Sequence, residues 1–354
     1  MKILEIIPQL SQGGAERFVI DLCNEMSMEH EVVLVVLHNV DNHGFFRKEL
    51  SKQVRLISMN KRMGMDWQLF FRLAKLIREE KPDVVHTHLR GIVYTFLSYI
   101  FTSKIKFIHT VHNDAKMEAG GGVSKWCREL AFNLKRVHPV TISEESQRSF
   151  EEFYHLPSTL IYNGRPEYNC NTDISAVQQE LENIKTNKQA KIIVNIARIQ
   201  PQKNQLPLAK AIDNLNKQGY AVELAIIGNK ADKQIVNNIE ALNSPYVHLL
   251  DVRTNPRDYM RAADAFCLSS IECFSVGTIP LCTPVGGIVN MIEDGENGLL
   301  ANSSSQDDIE DMLKRYLYLK TDSITVFKKN SYETFTKFNM KTCCNNYLSI
   351  MKSK

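Results

Sequence analysis

Two cations and one carboxylate mark the stretch of this sequence where polar chemistry is most concentrated. Arg198, Lys203 and Asn204 occur in IARIQPQKN, and Glu272 occurs in CLSSIECFSVGTIP, ahead of a glycine-rich turn at 285–287. Cationic side chains and free backbone N–H groups bind phosphates, and a carboxylate accepts hydrogen bonds from sugar hydroxyls. The pattern predicts a ligand that carries phosphates and a hydroxylated sugar. The alternative is that both cations are ordinary surface residues of a loop.

A second glycine-rich turn follows the first apolar run of the chain. Gly13 and Gly14 precede a segment with helical spacing in SQGGAERFVIDLCNEM. Such a turn can bring backbone N–H groups close to an anion at the start of a helix. A simple strand-to-helix turn explains the same residues, and the glycine spacing does not fit a dinucleotide fingerprint.

Four histidines lie at or near the ends of two predicted strands. His86 and His88 alternate in HTHLRG, and His109 and His112 occur in HTVHND. Open α/β sheets bind their ligands at the carboxyl ends of the strands, where these histidines are expected. The neighbouring sequence offers no third metal ligand, so no zinc site is predicted. A single histidine is more often packed than catalytic, and His86 and His109 are interpreted as structural.

The elements that must position these residues alternate regularly along the chain. Short apolar runs typical of buried strands are each followed by a segment with helical spacing, in both halves of the sequence. This alternation predicts an α/β fold with two doubly wound, Rossmann-like domains that face a cleft, the expected ligand site. A length of 354 residues also favours two domains. The expected boundaries are 1–165, 166–330 and a terminal helix at 331–354.

Composition and charge argue against several classes of protein. The net charge of +3 gives no strong basic field, so no nucleic-acid partner is expected. No apolar run reaches the length of a membrane span, and the opening MKILEIIPQL is a poor signal peptide. The eight cysteines lack metal-type spacing and are interpreted as reduced thiols. A cytoplasmic location is therefore expected.

One predicted helix, from Asp66 to Glu80, combines apolar and basic residues. Its apolar positions are occupied by Trp67, Phe70, Phe71, Leu73, Ala74 and Ile77. The surrounding cations are Lys61, Arg62, Arg72, Lys75 and Arg78. A core helix with a solvated basic face is the favoured interpretation. The alternative is a helix on a membrane surface, which would make the protein peripheral at the inner face of the cell membrane.

The second half of the chain resembles the retaining glycosyltransferases of family 4, which have the GT-B fold. The matching segments are IARIQPQKN, ELAIIGN, RAADAFCLSS, IECFSVGTIPLCTPVGG and EDGENGLL, and GGAER matches in the first half. The resemblance implies that His112 faces the donor sugar and that the loop with Gly13 and Gly14 faces the cleft. It also implies that the terminal helix packs on the first domain, and that no cofactor is needed.

The sequence departs from the family at one motif. The family has two glutamates separated by seven residues, and IECFSVGTIP aligns Glu272 with the second of them. The first glutamate, with a loop of about eight residues, has no counterpart between Ser269 and Glu272. Asp264 has the matching spacing, but it precedes the predicted strand from Ala265 and so lies at the opposite end.

The resemblance implies a retaining, hexosyltransferase-type enzyme that moves a sugar from a UDP- or GDP-sugar to a glycan or polyprenol-linked acceptor in cell-surface polysaccharide synthesis. The chain has no Asp-x-Asp motif, so Arg198 and Lys203 are expected to neutralise the leaving diphosphate without a metal. The missing glutamate motivates an alternative, a nucleotide-sugar-binding homologue with weak or no transferase activity. A structural partner in a polysaccharide assembly complex is a third interpretation.

Overall fold

Both halves of the chain fold into α/β units with parallel sheets, which confirms the predicted fold class. The computed structural model describes residues 1–11, 13–267, 271–284 and 291–353. Unit 1 comprises Met1–Pro166 and Phe338–Lys354, and unit 2 comprises Glu167–Lys337. Among the described residues, no helix combines the length and the apolar character needed to cross a membrane.

Unit 1 contains a parallel sheet of seven described strands in the order β3-β2-β1-β4-β5-β6-β7. The strands are β1 (Lys2–Ile7), β2 (Glu31–Val36), β3 (Arg55–Ser58), β4 (Val84–His88), β5 (Lys106–Val111), β6 (His138–Thr141) and β7 (Thr159–Leu160). The helices before residue 166 are α1 (Gly14–Met26), α2 (Val40–His43), α3 (Trp67–Glu80), α4 (Gly91–Tyr94), α5 (Phe96–Phe101), α6 (Ala115–Ala119), α7 (Val123–Asn133) and α8 (Glu144–Tyr154). The central strands are buried on both faces, which explains their continuous apolar runs.

Unit 2 contains a six-stranded parallel sheet, within the described residues, in the order β10-β9-β8-β11-β12-β13. The strands are β8 (Lys191–Ile196), β9 (Val222–Ile227), β10 (Val247–Leu250), β11 (Ala265–Cys267), β12 (Ile279–Cys282) and β13 (Leu299–Leu300). The helices are α9 (Ser175–Ile184), α10 (Gln205–Lys217), α11 (Lys233–Glu240), α12 (Pro256–Ala262), α13 (Ile271–Ser275), α14 (Gln306–Leu317) and α15 (Thr321–Phe335).

The C-terminal segment returns to unit 1, but it is not one continuous helix. A short 3-10 turn at Thr336–Phe338 separates α15 from α16 (Met340–Lys352), and the Asn339 side chain caps α16 by accepting from the Thr342 N–H at 2.7 Å. Met340, Cys343 and Tyr347 of α16 join the core that α1 and β1 form.

Helix α3 buries only part of the apolar surface that the sequence predicts for its core face. Leu69, Phe70, Leu73 and Ile77 are buried, and Asp66 caps the helix by accepting from the Leu69 N–H. Trp67 and Phe71, which also occupy apolar positions of this helix, are 59% and 70% exposed. At 3.6 residues per turn, one helix face cannot hold all these positions.

Candidate functional site

The candidate residues of unit 2 lie where the strand order of the sheet reverses. Strands β8 and β11 are neighbours at this reversal. Arg198 follows β8, and Glu272 lies in the first turn of α13, the first helix after β11. Ligands of doubly wound sheets bind at the carboxyl ends of the strands beside such a reversal. The chain order therefore brings Arg198 and Glu272 to the edge of the sheet where a ligand is expected.

Arg198 and Lys203 form a pair of like charges. Arg198 is exposed and Lys203 is half-buried. Burial lowers the pKa of Lys203, and the nearby charge of Arg198 lowers it further. Among the described residues, neither cation has an ion pair with a carboxylate. Two adjacent cations without a counter-ion repel one another, so an anion that binds both would relieve this repulsion.

Asn204 links this turn to two other loops. Its backbone is left-handed, with φ of 53°, and it precedes α10. The Asn204 side-chain amide donates to the hydroxyl of Ser304 at 3.1 Å and lies 3.4 Å from the hydroxyl of Thr283. Asn204 therefore makes no side-chain cap for α10. The amide positions three loops at one edge of the sheet, and within the described part of the chain no side chain caps the first turn of α10, a position where an anion could bind.

Gly228 allows the backbone to pass close to the arginine turn. A Cβ atom at residue 228 would lie 1.9 Å from the carbonyl oxygen of Ala197 and 3.5 Å from the amide nitrogen of Arg198. The Ala197 N–H donates to Ile227 at 3.1 Å, which joins the end of β9 to the same turn. Glycine at this position is required because a side chain would displace the backbone that carries Arg198. The sequence motif ELAIIGN thus has a steric explanation.

Part of the family motif falls outside the described residues. Residues 268–270, next to the expected deletion, and the glycine-rich turn at 285–287 are among those that the structure does not describe. Asp264 precedes β11 and accepts from the backbone N–H of Ile192 and from the Lys191 ammonium, both at 2.9 Å. Asp264 therefore binds the amino end of β8, the opposite end from Arg198.

The glycine turn of unit 1 begins α1 and lies beneath a carboxylate. Gly13 precedes the helix in an extended conformation, and Gly14 is the first helical residue. A Cβ atom on Gly13 would lie 2.2 Å from one carboxylate oxygen of Glu16, and the other oxygen accepts from the Ser11 hydroxyl at 2.7 Å. The helix N-terminus thus already has a buried negative charge beside it.

His112 follows β5 directly and is held by its neighbours on both sides. Its backbone N–H donates to Glu118 at 2.9 Å, and its imidazole Nε2 lies 2.9 Å from Nδ1 of His88. The ring of Phe18 contacts the His112 ring edge-on, with 5.7 Å between centroids. Burial lowers the pKa of His112 well below its usual value, with a further decrease from His88. His112 is therefore neutral at pH 7 and suited to hydrogen bonding.

Glu118 and Arg128 support the turn that carries His112. The buried Arg128 guanidinium lies 3.3 Å from the Glu118 carboxylate and donates to the carbonyl of Leu89 at 2.8 Å. Burial would raise the pKa of Glu118, but the hydrogen bond from His109 and the charges of His109 and Arg128 lower it to about 2. Sequence reasoning missed both residues, because an isolated Glu and Arg on helices carry no motif.

The histidines of β4 have a third neighbour that the sequence analysis did not find. Glu5 pairs in register with His86 across β1 and β4, and its carboxylate lies 3.0 Å from His86 and 2.9 Å from His88. All three side chains are fully buried. The expectation that no third potential metal ligand is nearby is therefore wrong, since Glu5, His86 and His88 have ligand atoms within 4.8 Å of one another. The adjacency of β1 and β4 is not visible in the sequence.

A cavity of about 950 Å³ lies away from these residues, at the amino ends of β4, β5 and β6. Its walls include Lys106 and Arg136, which already donate to backbone carbonyls: Lys106 to Ser353 at 2.6 Å and Arg136 to Tyr99 at 2.8 Å. The two cationic groups therefore stabilise the fold. The cavity also lies at the amino ends of the strands, whereas doubly wound sheets bind ligands at the carboxyl ends.

The chain matches two protein families along most of its length. Residues 12–166 match the family described as Glycosyltransferase Family 4, and residues 177–334 match the family described as Glycosyl transferases group 1. Over all of both chains, the fold is similar to that of HepE from Anabaena in complex with UDP-glucose, with a TM-score of 0.79 and 18% identity. The fold is thereby that of the GT-B glycosyltransferases.

Two curated proteins are related in sequence. The GalNAc-alpha-(1->4)-GalNAc-alpha-(1->3)-diNAcBac-PP-undecaprenol alpha-1,4-N-acetyl-D-galactosaminyltransferase of Campylobacter jejuni is 30% identical over 112 residues, 30% of this chain and only 28% of that protein. The capsular polysaccharide biosynthesis glycosyltransferase CapH of Staphylococcus aureus is 25% identical over 290 residues, 76% of this chain and 75% of CapH. Because both family matches and the fold agree, this chain belongs to the group 1 glycosyltransferases.

Proposed function

We propose that this protein is a retaining glycosyltransferase that takes a sugar from a UDP- or GDP-sugar and transfers it to a glycan or lipid-linked acceptor in polysaccharide synthesis. The observation that carries the proposal is the pair Arg198 and Lys203, without a carboxylate partner among the described residues. Each cation at about 4 Å from a phosphate contributes roughly 4 kcal/mol of attraction at an effective dielectric of about 20. This attraction grows as negative charge develops on the leaving diphosphate.

Each remaining candidate residue has a role that fits its chemistry. Glu272 accepts hydrogen bonds from the ribose hydroxyls, and Asn204 holds the phosphate-binding turn in place. His112 contacts the transferred sugar as a neutral hydrogen-bonding group. Gly13 and Gly14 let the start of α1 approach the donor, although Glu16 makes a second phosphate site there unfavourable. The acceptor hydroxyl forms the new bond to the anomeric carbon on the same face from which the diphosphate leaves. The leaving phosphate takes the hydroxyl proton, so no side-chain nucleophile is needed.

A peripheral membrane contact is part of the same proposal, because a lipid-linked acceptor resides in a membrane. Met63, Trp67 and Phe71 are 98%, 59% and 70% exposed, and Arg62 and Lys75 lie nearby in the sequence. Exposed aromatic residues with adjacent cations are typical of helices that lie at an anionic membrane surface. This feature supports a peripheral position at the inner face of the cell membrane, with a cytoplasmic location.

The test is a panel of UDP- and GDP-sugars with glycan and polyprenol-linked acceptors, read by mass spectrometry for product and by calorimetry for binding. We expect product with one donor, retained in EDTA because the cations replace a metal. Anionic vesicles that carry the acceptor should give faster transfer than neutral detergent micelles. Donor binding without product would instead support the non-catalytic homologue, and full loss in EDTA restored by Mn²⁺ would refute the metal-independent mechanism.

A further inference from the structure

A chain of hydrogen bonds leads from His112 into the interior of unit 1. His112 Nε2 lies 2.9 Å from His88 Nδ1, and His88 Nε2 lies 2.9 Å from the Glu5 carboxylate. The other oxygen of Glu5 lies 3.1 Å from His86 Nδ1. Glu5 and both histidines are fully buried, so no water competes for these contacts.

The sheet itself brings these groups together. Glu5 of β1 is paired with His86 of β4, and His88 of β4 is paired with Thr110 of β5. Residues two apart on a strand face the same side, so His86 and His88 present their rings to one side of the sheet. On that side, His86 Nε2 lies 2.8 Å from the Thr110 hydroxyl, which in turn lies 2.8 Å from the hydroxyl of Tyr347 in α16.

The charge states determine where each proton lies. Burial alone would raise the pKa of Glu5, but attraction to His86 and hydrogen bonds from His86 and His88 lower it to about 2. Burial lowers the pKa of His88 to about 4, so this imidazole is neutral at pH 7. A carboxylate has no proton to give, and therefore His88 must donate from Nε2. A neutral imidazole has one N–H, which leaves His88 Nδ1 as an acceptor.

This arrangement leaves His112 one tautomer. His112 must donate its Nε2–H to the bare Nδ1 of His88, and its own Nδ1 is then an acceptor. The described residues offer that Nδ1 no hydrogen-bond partner. We propose that Glu5 and His88 are positioning residues that hold His112 in the tautomer whose Nδ1 accepts a hydrogen bond from a hydroxyl of the transferred sugar. The proposal rests on the proposed role of His112.

The fixed tautomer of His112 should select sugars by the direction of the hydrogen bond that they make with it. A sugar group that donates a hydrogen bond satisfies Nδ1 of His112, whereas a group that only accepts, such as fluorine or a carbonyl oxygen, leaves two acceptors facing each other. A carboxylate that fixes a histidine through its second nitrogen is a common way to set a tautomer. Here a second histidine is interposed, so the carboxylate acts on His112 from the protein interior.

The test is a tautomer measurement on the whole protein without donor. Long-range proton–nitrogen correlation spectra of protein with ¹⁵N-labelled histidine distinguish a bare Nδ1 from a bare Nε2. We expect His112 to show protonated Nε2 and bare Nδ1. His88→Gln retains an amide near Glu5 but removes the acceptor for His112, so the two His112 tautomers should mix. His88→Asn, whose oxygen can replace Nδ1, should restore the original tautomer.

Activity gives the second readout. His88→Gln should lower kcat/KM for transfer roughly 10- to 100-fold, the effect typical of a group that orients a functional histidine, with UDP affinity unchanged. His138→Gln is the control, because His138 is a half-buried histidine of the same sheet that is bonded to the Thr159 hydroxyl at 2.8 Å and takes no part in the hydrogen bonds between Glu5, His88 and His112. It should change neither spectrum nor turnover.

Three results would overturn the inference. They are a wild-type His112 with bare Nε2, an unchanged His112 tautomer in His88→Gln, and stoichiometric zinc retained by Glu5, His86 and His88 in the purified protein. Failure of the proposed function looks different. A protein that shows the expected tautomers but transfers no sugar would contradict the enzymatic proposal alone, since the spectra require no substrate.

Discussion

At the scale of single residues, the most informative feature is a pair of cations, Arg198 and Lys203, that no carboxylate in the described part of the chain neutralises. Elsewhere in unit 2, cations find carboxylates: Lys191 pairs with Asp264 at 2.9 Å, and Arg253 pairs with Glu180 at 2.6 Å. Arg198 and Lys203 have no such partner among the described residues, and Lys203 is half-buried besides. Holding like charges together costs folding free energy, and a bound diphosphate would recover it.

Replacing either cation by alanine tests this interpretation. Arg198→Ala and Lys203→Ala should each weaken the binding of UDP or GDP by roughly 1.5–3 kcal/mol, the range for hydrogen bonds to charged groups. Isothermal titration gives the affinity, and UMP should be less sensitive because it lacks the second phosphate. Lys210→Ala is the control, since Lys210 is an exposed residue further along α10. Wild-type affinity in both variants would remove the phosphate assignment.

At the scale of elements, the positions of strands and helices follow from local pattern, but the contacts between them do not. The apolar runs predict most strands, and the start of α8 has a local cause as well, a capping box formed by Ser143 and Ser146. The network around Glu5 was not predictable, because it depends on β1 lying beside β4 rather than on any spacing in the sequence. Arg128 and Glu118 were missed because an isolated Arg and an isolated Glu on helices carry no motif. The exposure of Trp67 was not predictable either, because it depends on which elements pack against α3.

The close approach at Gly228 leads to a prediction about α/β packing. Gly228→Ala should destabilise unit 2 by roughly 1–3 kcal/mol, because the added Cβ overlaps a backbone oxygen. It should also weaken UDP binding roughly tenfold or more by displacing the turn of Arg198.

Gly219→Ala is the matched control, because Gly219 also has a positive φ, of +91°, but an added Cβ atom there would meet no other atom within 4 Å. This control should lose stability, by roughly 1 kcal/mol, without losing affinity. Equal affinities in the two variants would show that Gly228 does not position the arginine.

At the scale of the whole molecule, the two units differ in how they should respond to acid. Nine of the ten histidines lie in unit 1, and unit 2 contains only His248. Burial is the main cause that lowers the pKa of His88 and of His109 to about 4, from an ordinary value of 6.5. Below pH 6.5, these two histidines therefore bind protons in the unfolded chain but not in folded unit 1. Stability is lost as the pH falls from 6.5 towards 4.

We expect unit 1 to lose stability on acidification before unit 2. Each of the two histidines contributes roughly 3 kcal/mol to this loss between pH 7.5 and pH 4. Glu5 and Glu118, with pKa values lowered to about 2 from 4.5, add a further loss only below pH 4.5. Hydrogen exchange followed by mass spectrometry, corrected for the intrinsic pH dependence, resolves the two units. Equal loss of protection in both units at pH 5 would contradict the prediction.

The return of the C-terminal segment to unit 1 has a consequence for biosynthesis. On the ribosome, residues 340–352 emerge only after all of unit 2 has been translated. Gly164 leaves room for this segment, because a Cβ atom at residue 164 would lie only 2.6 Å from Cβ of Cys343. Until then, the apolar surface that Cys343, Tyr347 and Met351 cover is open to water or to a chaperone. Unit 2 is continuous in sequence, so the unit whose translation begins first is the one whose core is completed last.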